Sequence, residues 1–272
     1  MAITRRISAL GALAILASVS DAHDLFFRPD SHFVASDSKI VIPVLSGTFS
    51  KSENGITRDR IEDLSIVDPS GRRPIELTSW TEADPRSTLT LTTSGEGTYA
   101  VGTAIRPRML SLPGEEFNAY LKEEGLDHVL ERRRALGKLG EPSRERYSKY
   151  PKTLLQVGEK RTADFSVVFG YEAEIVPLSN PFSKRVGETL GFRCLLKGHP
   201  LALYPVLAGG RAPGAGDVRL PQQRLSTDAD GVVRVELTAP GQWYVKFVHM
   251  TEIDEPEANH ESRWATVSFE IR

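Results

Sequence analysis

The sequence of 272 residues contains a single cysteine, three methionines and three tryptophans. With one cysteine no intramolecular disulfide can form, so stability must come from burial of apolar side chains. Cys194 lies in the segment 190–196, which has the pattern of a strand. Because free cysteines usually behave as small hydrophobic residues, we expect Cys194 to be a core residue and not a metal ligand.

The sequence also lacks a strong charge of either sign. It has 34 lysine and arginine residues against 36 aspartate and glutamate residues, a formal net charge of −2. This balance favours neither nucleic acid nor an anionic membrane as a partner. The longest apolar run, residues 7–19, is shorter than the roughly 20 residues that span a bilayer. We therefore expect no membrane span in the mature chain.

The first 22 residues have the pattern of a secretory signal peptide. Arg5 and Arg6 precede the apolar run 7–19, and Ser20 and Ala22 are the small residues that signal peptidase recognises. Cleavage after Ala22 would remove two arginines and one aspartate and leave a mature net charge of −3. The sequence therefore predicts a soluble exported protein of the periplasm.

Cleavage at this point makes His23 the first residue of the mature chain. A terminal histidine can hold one metal ion as a chelate, through its α-amino group and its imidazole. Metal binding would displace protons from these groups, so affinity should fall as the pH falls. The alternative is that His23 is a frayed chain end, because termini are poorly ordered unless other contacts hold them.

Hydrophobic patterning divides the mature chain into three parts. Short β-type runs separated by turn residues fill 23–110 and return over 159–272, whereas 111–158 has helical spacing. We therefore predict a mainly β protein with two antiparallel β-sandwich domains, of the immunoglobulin or transthyretin-like kind. A helical insertion would connect them.

The middle segment carries apolar residues at helical spacing on both sides of Gly125, which predicts a pair of helices hinged at that glycine. Residues 143–150 are predicted to form a further short helix that Pro151 stops or kinks. The three arginines 132–134 are interpreted as a solvated helix face, because glutamates lie close enough to balance them.

Three features are predicted in the carboxy-terminal part. Residues 165–169 are expected to form its first strand. The sequence 227–231 is interpreted as a hairpin turn, because it lacks the later carboxylates of a calcium loop. Two final strands, 242–250 and 262–271, are expected to form a hairpin.

The loop of this hairpin contains candidate metal ligands. His249 and His260 flank an acidic loop that ends in Glu261, and two imidazoles with a supporting carboxylate suit a divalent transition ion. The alternative is that His249 is a core residue, since it continues an apolar strand face, and that the acidic loop is only solvated. The remaining histidines are expected at the surface: His32, His128 and His199.

Several segments of the mature chain resemble the NikM-like periplasmic proteins, a family with a domain of unknown function associated with nickel or cobalt uptake. In order, these segments are 22–26, 117–127, 144–150, 156–158, 227–231, 248–250 and 261–266. The resemblance implies a sandwich, a helical insertion and a second sandwich, with His23 and His249 at the family's histidine positions. Asn259 and His260 depart from the family's Asp-Trp pair, and Pro151 interrupts a helix that is usually continuous.

We therefore predict a non-enzymatic periplasmic metal-binding or metal-delivery protein that acts beside a membrane uptake system for nickel, cobalt or copper. Its site would consist of His23 and His249, with Glu261 or His260 as further contributors. Nitrogen-rich ligands hold copper more tightly than nickel, so affinity alone would not identify the ion.

Two other classes of function stay open from the sequence. The first is a metal-free interaction module that docks on a membrane receptor or another partner, for which changes at Glu123, Arg132 or Arg133 would abolish activity. The second is an enzyme that uses copper at His23 for oxidative chemistry. No nucleophile-base pair, phosphate loop or HExxH motif supports other catalysis.

Overall fold

The computed structural model describes residues 23–213 and 218–272. The predicted signal peptide 1–22 lies outside these residues. The described chain is mainly β, as predicted, and its strands form three sheets.

Ten strands precede or directly follow the helical segment. They are β1 Asp24–Phe27, β2 Phe33–Val34, β3 Lys39–Gly47, β4 Ser52–Asn54, β5 Ile61–Asp68, β6 Gly71–Pro74, β7 Trp80–Thr81, β8 Ser87–Thr92, β9 Gly97–Leu112 and β10 Ser143–Val157.

Eight further described strands complete the sheets. They are β11 Ala173–Pro177, β12 Thr189–Leu196, β13 His199–Pro200, β14 Pro205–Arg211, β15 Arg219–Ser226, β16 Val232–Glu236, β17 Gly241–Glu252 and β18 His260–Ile271.

Two α-helices lie between β9 and β10, α1 Gly114–Glu123 and α2 Asp127–Ala135. Between them Gly125 has a φ of 74°, a left-handed conformation that glycine adopts without strain. The predicted helix pair and its hinge are therefore confirmed. In the described ranges, four short 3₁₀ helices occupy Arg58–Arg60, Leu77–Ser79, Ala163–Ser166 and Pro181–Ser183.

The largest sheet joins strands from both ends of the chain. Its strand order is β15-β14-β17-β18-β10-β9-β5-β6. Outside this order, β2 also pairs with β10. Strands β10 and β18 run parallel, with Glu145 opposite His260 and Thr153 opposite Ser268. One continuous sheet therefore contains strands from both predicted sandwich segments and from the predicted connector.

The two smaller sheets cover opposite faces of the large sheet. On β10, Leu154 packs in the core shared with the four-stranded sheet of β11, β12, β13 and β16. Its neighbour Leu155 packs in the core shared with the five-stranded sheet of β1, β3, β4, β7 and β8. Because successive strand residues point to opposite faces, the large sheet is the middle of three layers.

The helices lie on the same face of the large sheet as β1. Phe117 and Leu121 of α1 pack against Trp264, Val248 and Met250. This position leaves a space between α1 and β1. The side chains of the large sheet that point toward α1 and β1 lie beneath this space.

Two predicted elements are wrong. The predicted helix over 143–150 is the first half of strand β10, where Ser143, Glu145 and Tyr147 are buried at alternating positions between β9 and β18. The helical insertion predicted over 111–158 therefore ends as a central strand. The predicted strand over 165–169 is a 3₁₀ helix and a turn, because the amides of Phe169 and Gly170 donate to the carboxylate of Glu174.

Two other predictions are confirmed and one needs correction. The carboxy-terminal hairpin exists as β17 and β18, and Cys194 is fully buried in β12. The turn at 227–231 does not close a hairpin, because β15 and β16 belong to different sheets. It carries the chain from one layer to the next.

Candidate functional site

His23 lies directly before β1, at the edge of the space between β1 and α1. Its imidazole Nε2 is 2.7 Å from Oε2 of Glu53 in β4. Its backbone carbonyl accepts a hydrogen bond from the Lys149 ammonium group. His23 is therefore tied to two other strands and is not a frayed end.

His249 lies on the opposite face of the large sheet. On β17, Lys246 points toward β1, where its ammonium group contacts Asp24. Phe247 points the other way, into the core under the four-stranded sheet. His249 shares the face of Phe247 because side chains two residues apart lie on one side of a strand. The structure therefore does not bring His23 and His249 together.

His249 packs against an aromatic ring and lies near positively charged side chains. Its ring centroid is 5.3 Å from that of Tyr204, and its Nδ1 is buried without a hydrogen-bond partner among the described residues. Burial, reinforced by the charge of Arg263, lowers the pKa of His249 to about 4. Glu261 lies on the same face, where it pairs with Arg263 and Arg146.

His260 points to the other face of β18 and is only 3% exposed. Its ring centroid is 4.7 Å from that of Phe117, and its Nδ1 is 2.8 Å from Oδ1 of Asn259. Burial and the charge of Arg133 lower its pKa to about 4. His260 therefore packs beneath α1 as a neutral ring.

The other three histidines were predicted at the surface, and one of these predictions is wrong. His32 is fully buried beside β18, where its backbone amide donates to the Glu270 carboxylate over 2.7 Å. Burial lowers its pKa. His128 and His199 are exposed, as predicted.

The arginine run on α2 is also only partly solvated. Arg133 is 4% exposed, and its guanidinium donates to the carbonyls of Lys138 and Glu141 and to the side chain of Asn118. Arg132 and Arg134 are exposed and pair with glutamates. Arg133 therefore holds the end of α2 in place and is not an accessible docking residue.

The space beside His23 is a groove of about 550 Å³. Strand β1 and the loop after β3 form one wall, α1 forms another, and β15 and β17 form the floor and rim. Phe26, Phe49 and Tyr244 pack together in this lining, with ring centroids 5.0 to 5.2 Å apart. The groove therefore has an aromatic side and a charged side.

The floor of the groove contains a buried ion triad. The Lys246 ammonium group lies between the carboxylates of Asp24 and Glu124, and its nitrogen is 2.7 Å from Oε2 of Glu124. Burial raises the pKa of Glu124 to about 7, although Lys246 opposes this shift. The two carboxylates raise the pKa of Lys246 despite its burial. Oδ1 of Asp24 has no hydrogen-bond partner among the described residues.

A second polar cluster lies beneath α1. The Tyr120 hydroxyl donates to Oε1 of Glu145 over 3.2 Å, and the Ser262 hydroxyl donates to the same oxygen. Burial raises the pKa of both Glu145 and Tyr120. Tyr120 also stacks on Trp264 with ring centroids 5.7 Å apart. Buried ionisable groups with shifted pKa values are typical of functional sites, and here they adjoin the groove.

Sequence reasoning identified His23 but missed the residues around it. Glu53 and Lys149 meet His23 only because β1 pairs with β3 and lies above β10. The one available signal was Lys246, a lysine within an apolar strand, which needs a buried anionic partner.

The side chains of the described residues do not form a complete metal site. Within 23–213 and 218–272, no three histidine, cysteine, aspartate or glutamate side chains are grouped to hold one metal ion. In the part of the chain that the structure describes, no helix is long and apolar enough to cross a membrane.

Comparison with known proteins identifies a family but no activity. Residues 20–251 match the profile of a family described as "Domain of unknown function (DUF4198)". No curated protein matches the chain. The family match spans His23, the groove and most of β17.

Two solved structures are similar only at a low level. A DUF4785 family protein from Legionella pneumophila has 11% identity and a TM-score of 0.24, covering 80% of this chain and 49% of that one. The chain thus spans about half the length of that protein. A marsupial T cell receptor has 9% identity and a TM-score of 0.22, covering 92% of this chain and 71% of that one.

Proposed function

The chain belongs to the DUF4198 family, and we propose that it is an exported, periplasmic metal-binding or metal-delivery protein. It would hold a divalent transition ion at His23. The ion would be nickel, cobalt or copper, and the protein would act beside an uptake system. The observation that carries the proposal is the contact between His23 and Glu53 at the groove.

This contact would orient the imidazole for chelation. A carboxylate can only accept a hydrogen bond, so in the neutral ring Nε2 carries the hydrogen and Nδ1 carries the lone pair that can bind a metal. Nδ1 is the ring nitrogen nearer the backbone, and it can bind one ion together with the α-amino group of the same residue. Metal-binding histidines commonly donate their second ring N–H to a carboxylate in this way.

The remaining contacts hold the chain end in place. Lys149 donates a hydrogen bond to the His23 carbonyl, and Thr266 donates one to the carbonyl of Leu25, two residues further along the chain. The adjacent Asp24 is anchored by Lys246. A chelate formed by the first residue would therefore sit on a rigid strand, which reduces the ordering entropy lost on binding.

The ligands at His23 differ from the set expected from the sequence. His249 and Glu261 lie on the far face of the large sheet, and His260 packs beneath α1, so none of them is assigned to this site. Glu53 takes the supporting role that Glu261 was expected to have.

Metal titration of the mature protein tests the proposal. We expect Glu53→Gln to weaken nickel and copper binding by about 10- to 100-fold, since the hydrogen bond to a metal-binding imidazole is weakened. His249→Ala is the matched control and should leave the affinity unchanged. Equal affinities of the wild type and Glu53→Gln, or a loss confined to His249→Ala, would contradict the proposal.

Export is tested separately by mass spectrometry of the protein recovered from a periplasmic extract. A chain that begins at His23 supports the chelate, because only then is the α-amino group of His23 free. A chain that begins at any other residue would remove the amine from the proposed ligand set.

A further inference from the structure

The proposed chelate leaves a metal ion with an incomplete set of ligands. Its amine and imidazole would supply two donors, whereas divalent transition ions take about four to six. Glu53 already binds the other ring nitrogen, and no group of three suitable side chains exists in the described ranges 23–213 and 218–272. Even with Oδ1 of Asp24, which has no hydrogen-bond partner among the described residues, the set has three donors, so the remaining donors would come from water or from another molecule.

The groove beside His23 is large enough for such a molecule. Its volume of about 550 Å³ far exceeds the ~30 Å³ that a water molecule occupies and falls within the range of ~300 to 1,000 Å³ typical of small-ligand sites. His23 lines the groove, so a donor in the groove lies next to the proposed chelate.

The charges of the groove indicate the chemistry of this molecule. Two acidic residues of α1, Glu116 and Glu123, and two basic residues of β15, Arg219 and Arg224, line the groove. The Arg224 guanidinium is held near the end of α1 by hydrogen bonds to the Lys122 and Glu123 carbonyls, 3.3 to 3.5 Å long. A ligand with both a carboxylate and an N–H donor would complement both signs.

An α-amino acid has these groups and is itself a metal chelator. Its amine and carboxylate can both bind the ion, and the metal-bound amine retains N–H donors for a glutamate. The carboxylate oxygen that faces away from the ion can accept from an arginine, a charge-assisted contact. The aromatic side formed by Phe26, Phe49 and Tyr244 offers an apolar surface for the rest of the molecule.

We propose that the groove binds a small chelator of the α-amino acid class, which completes the coordination of the ion held at His23. This inference rests on the proposed function, because it requires an ion at His23. The protein would then take up a metal complex and not a bare ion.

Equilibrium dialysis with radiolabelled L-histidine tests the inference. We expect the mature protein to retain one equivalent of label when nickel is present and none when nickel is absent. Nickel with labelled citrate, which lacks an amine, should be retained less. Nickel bound without any retained histidine would overturn the inference and leave the proposed function intact.

Variants of the groove make the test specific. Arg219→Gln and Glu116→Gln should each lower the ratio of retained histidine to bound nickel about tenfold, the effect of losing one charged hydrogen bond. Arg234→Gln, an exposed arginine on β16 outside the groove lining, is the matched control. Unchanged ratios in both groove variants, or retention of histidine without nickel, would contradict the proposed ternary complex.

A further variant separates the two proposals. His23→Ala should abolish retention of both nickel and label. If the wild type binds no nickel in chelator-free buffer and none with histidine, the proposed function itself fails.

Discussion

The buried carboxylate of Glu124 should make stability depend on pH in a defined direction. Its pKa is about 7 in the folded protein, because it is buried near Asp24, and its ordinary value is 4.5. Between these two pH values the folded state binds one more proton than the unfolded state. The free energy of unfolding contributed by this group is therefore fully present below pH 4.5 and is lost as the pH rises to about 7.

The size of this contribution follows from the shift. One pKa unit corresponds to ~1.4 kcal/mol, so the contribution of Glu124 changes by about 3 kcal/mol over the interval. The charged groups that face it are Lys246 on β17 and Asp24 on β1, with Glu123 on its own helix. Glu124→Gln keeps the side-chain volume and removes the titration.

Urea unfolding followed by tryptophan fluorescence measures the effect. The difference in unfolding free energy between the wild type and Glu124→Gln should fall by about 3 kcal/mol from pH 4.5 to pH 7. Glu115→Gln, at an exposed position of α1 outside the groove lining, is the matched control. Parallel curves for Glu124→Gln and the wild type would refute the account of the buried triad.

Two further predictions concern residues away from the groove. Arg133→Met should destabilise the protein by about 1 to 3 kcal/mol in urea unfolding, because it removes the hydrogen-bond donor of two carbonyls. Arg134→Met, at an exposed position, should change the stability by less than about 0.5 kcal/mol. Similar losses of stability in the two variants would contradict the structural role of Arg133. Cys194 is fully buried and burial raises its pKa, so a thiol reagent should modify it only after denaturation; rapid modification of the native protein would contradict its place in the core.

Local patterns in the sequence predicted the elements in which apolar spacing matches the fold. The helix pair around Gly125 and the hairpin of β17 and β18 are examples. Strand β10 was missed because its buried positions include Glu145 and Lys149, whose partners are distant in sequence. A strand whose buried positions are polar shows no alternation of apolar and polar residues. Its sequence pattern therefore does not identify it as a strand.

The same limit applies to the candidate site. His23 was identified from its position after a predicted cleavage site, which is local information. Its contact with Glu53 depends on the register of β1 with β3 and of β3 with β4. His249 was assigned as its partner without knowledge of which face of β17 it occupies, and the alternation of Lys246 and Phe247 places it on the other side of the sheet.

The most direct test of the central claim compares two forms of the mature protein, one that begins at His23 and one with a single glycine added before it. The added residue converts the α-amine of His23 into an amide and leaves the imidazole and Glu53 in place. We expect the extended form to bind nickel and copper at least about tenfold more weakly in an isothermal titration, a difference of ~1.4 kcal/mol. Equal affinities of the two forms would contradict the chelate at His23.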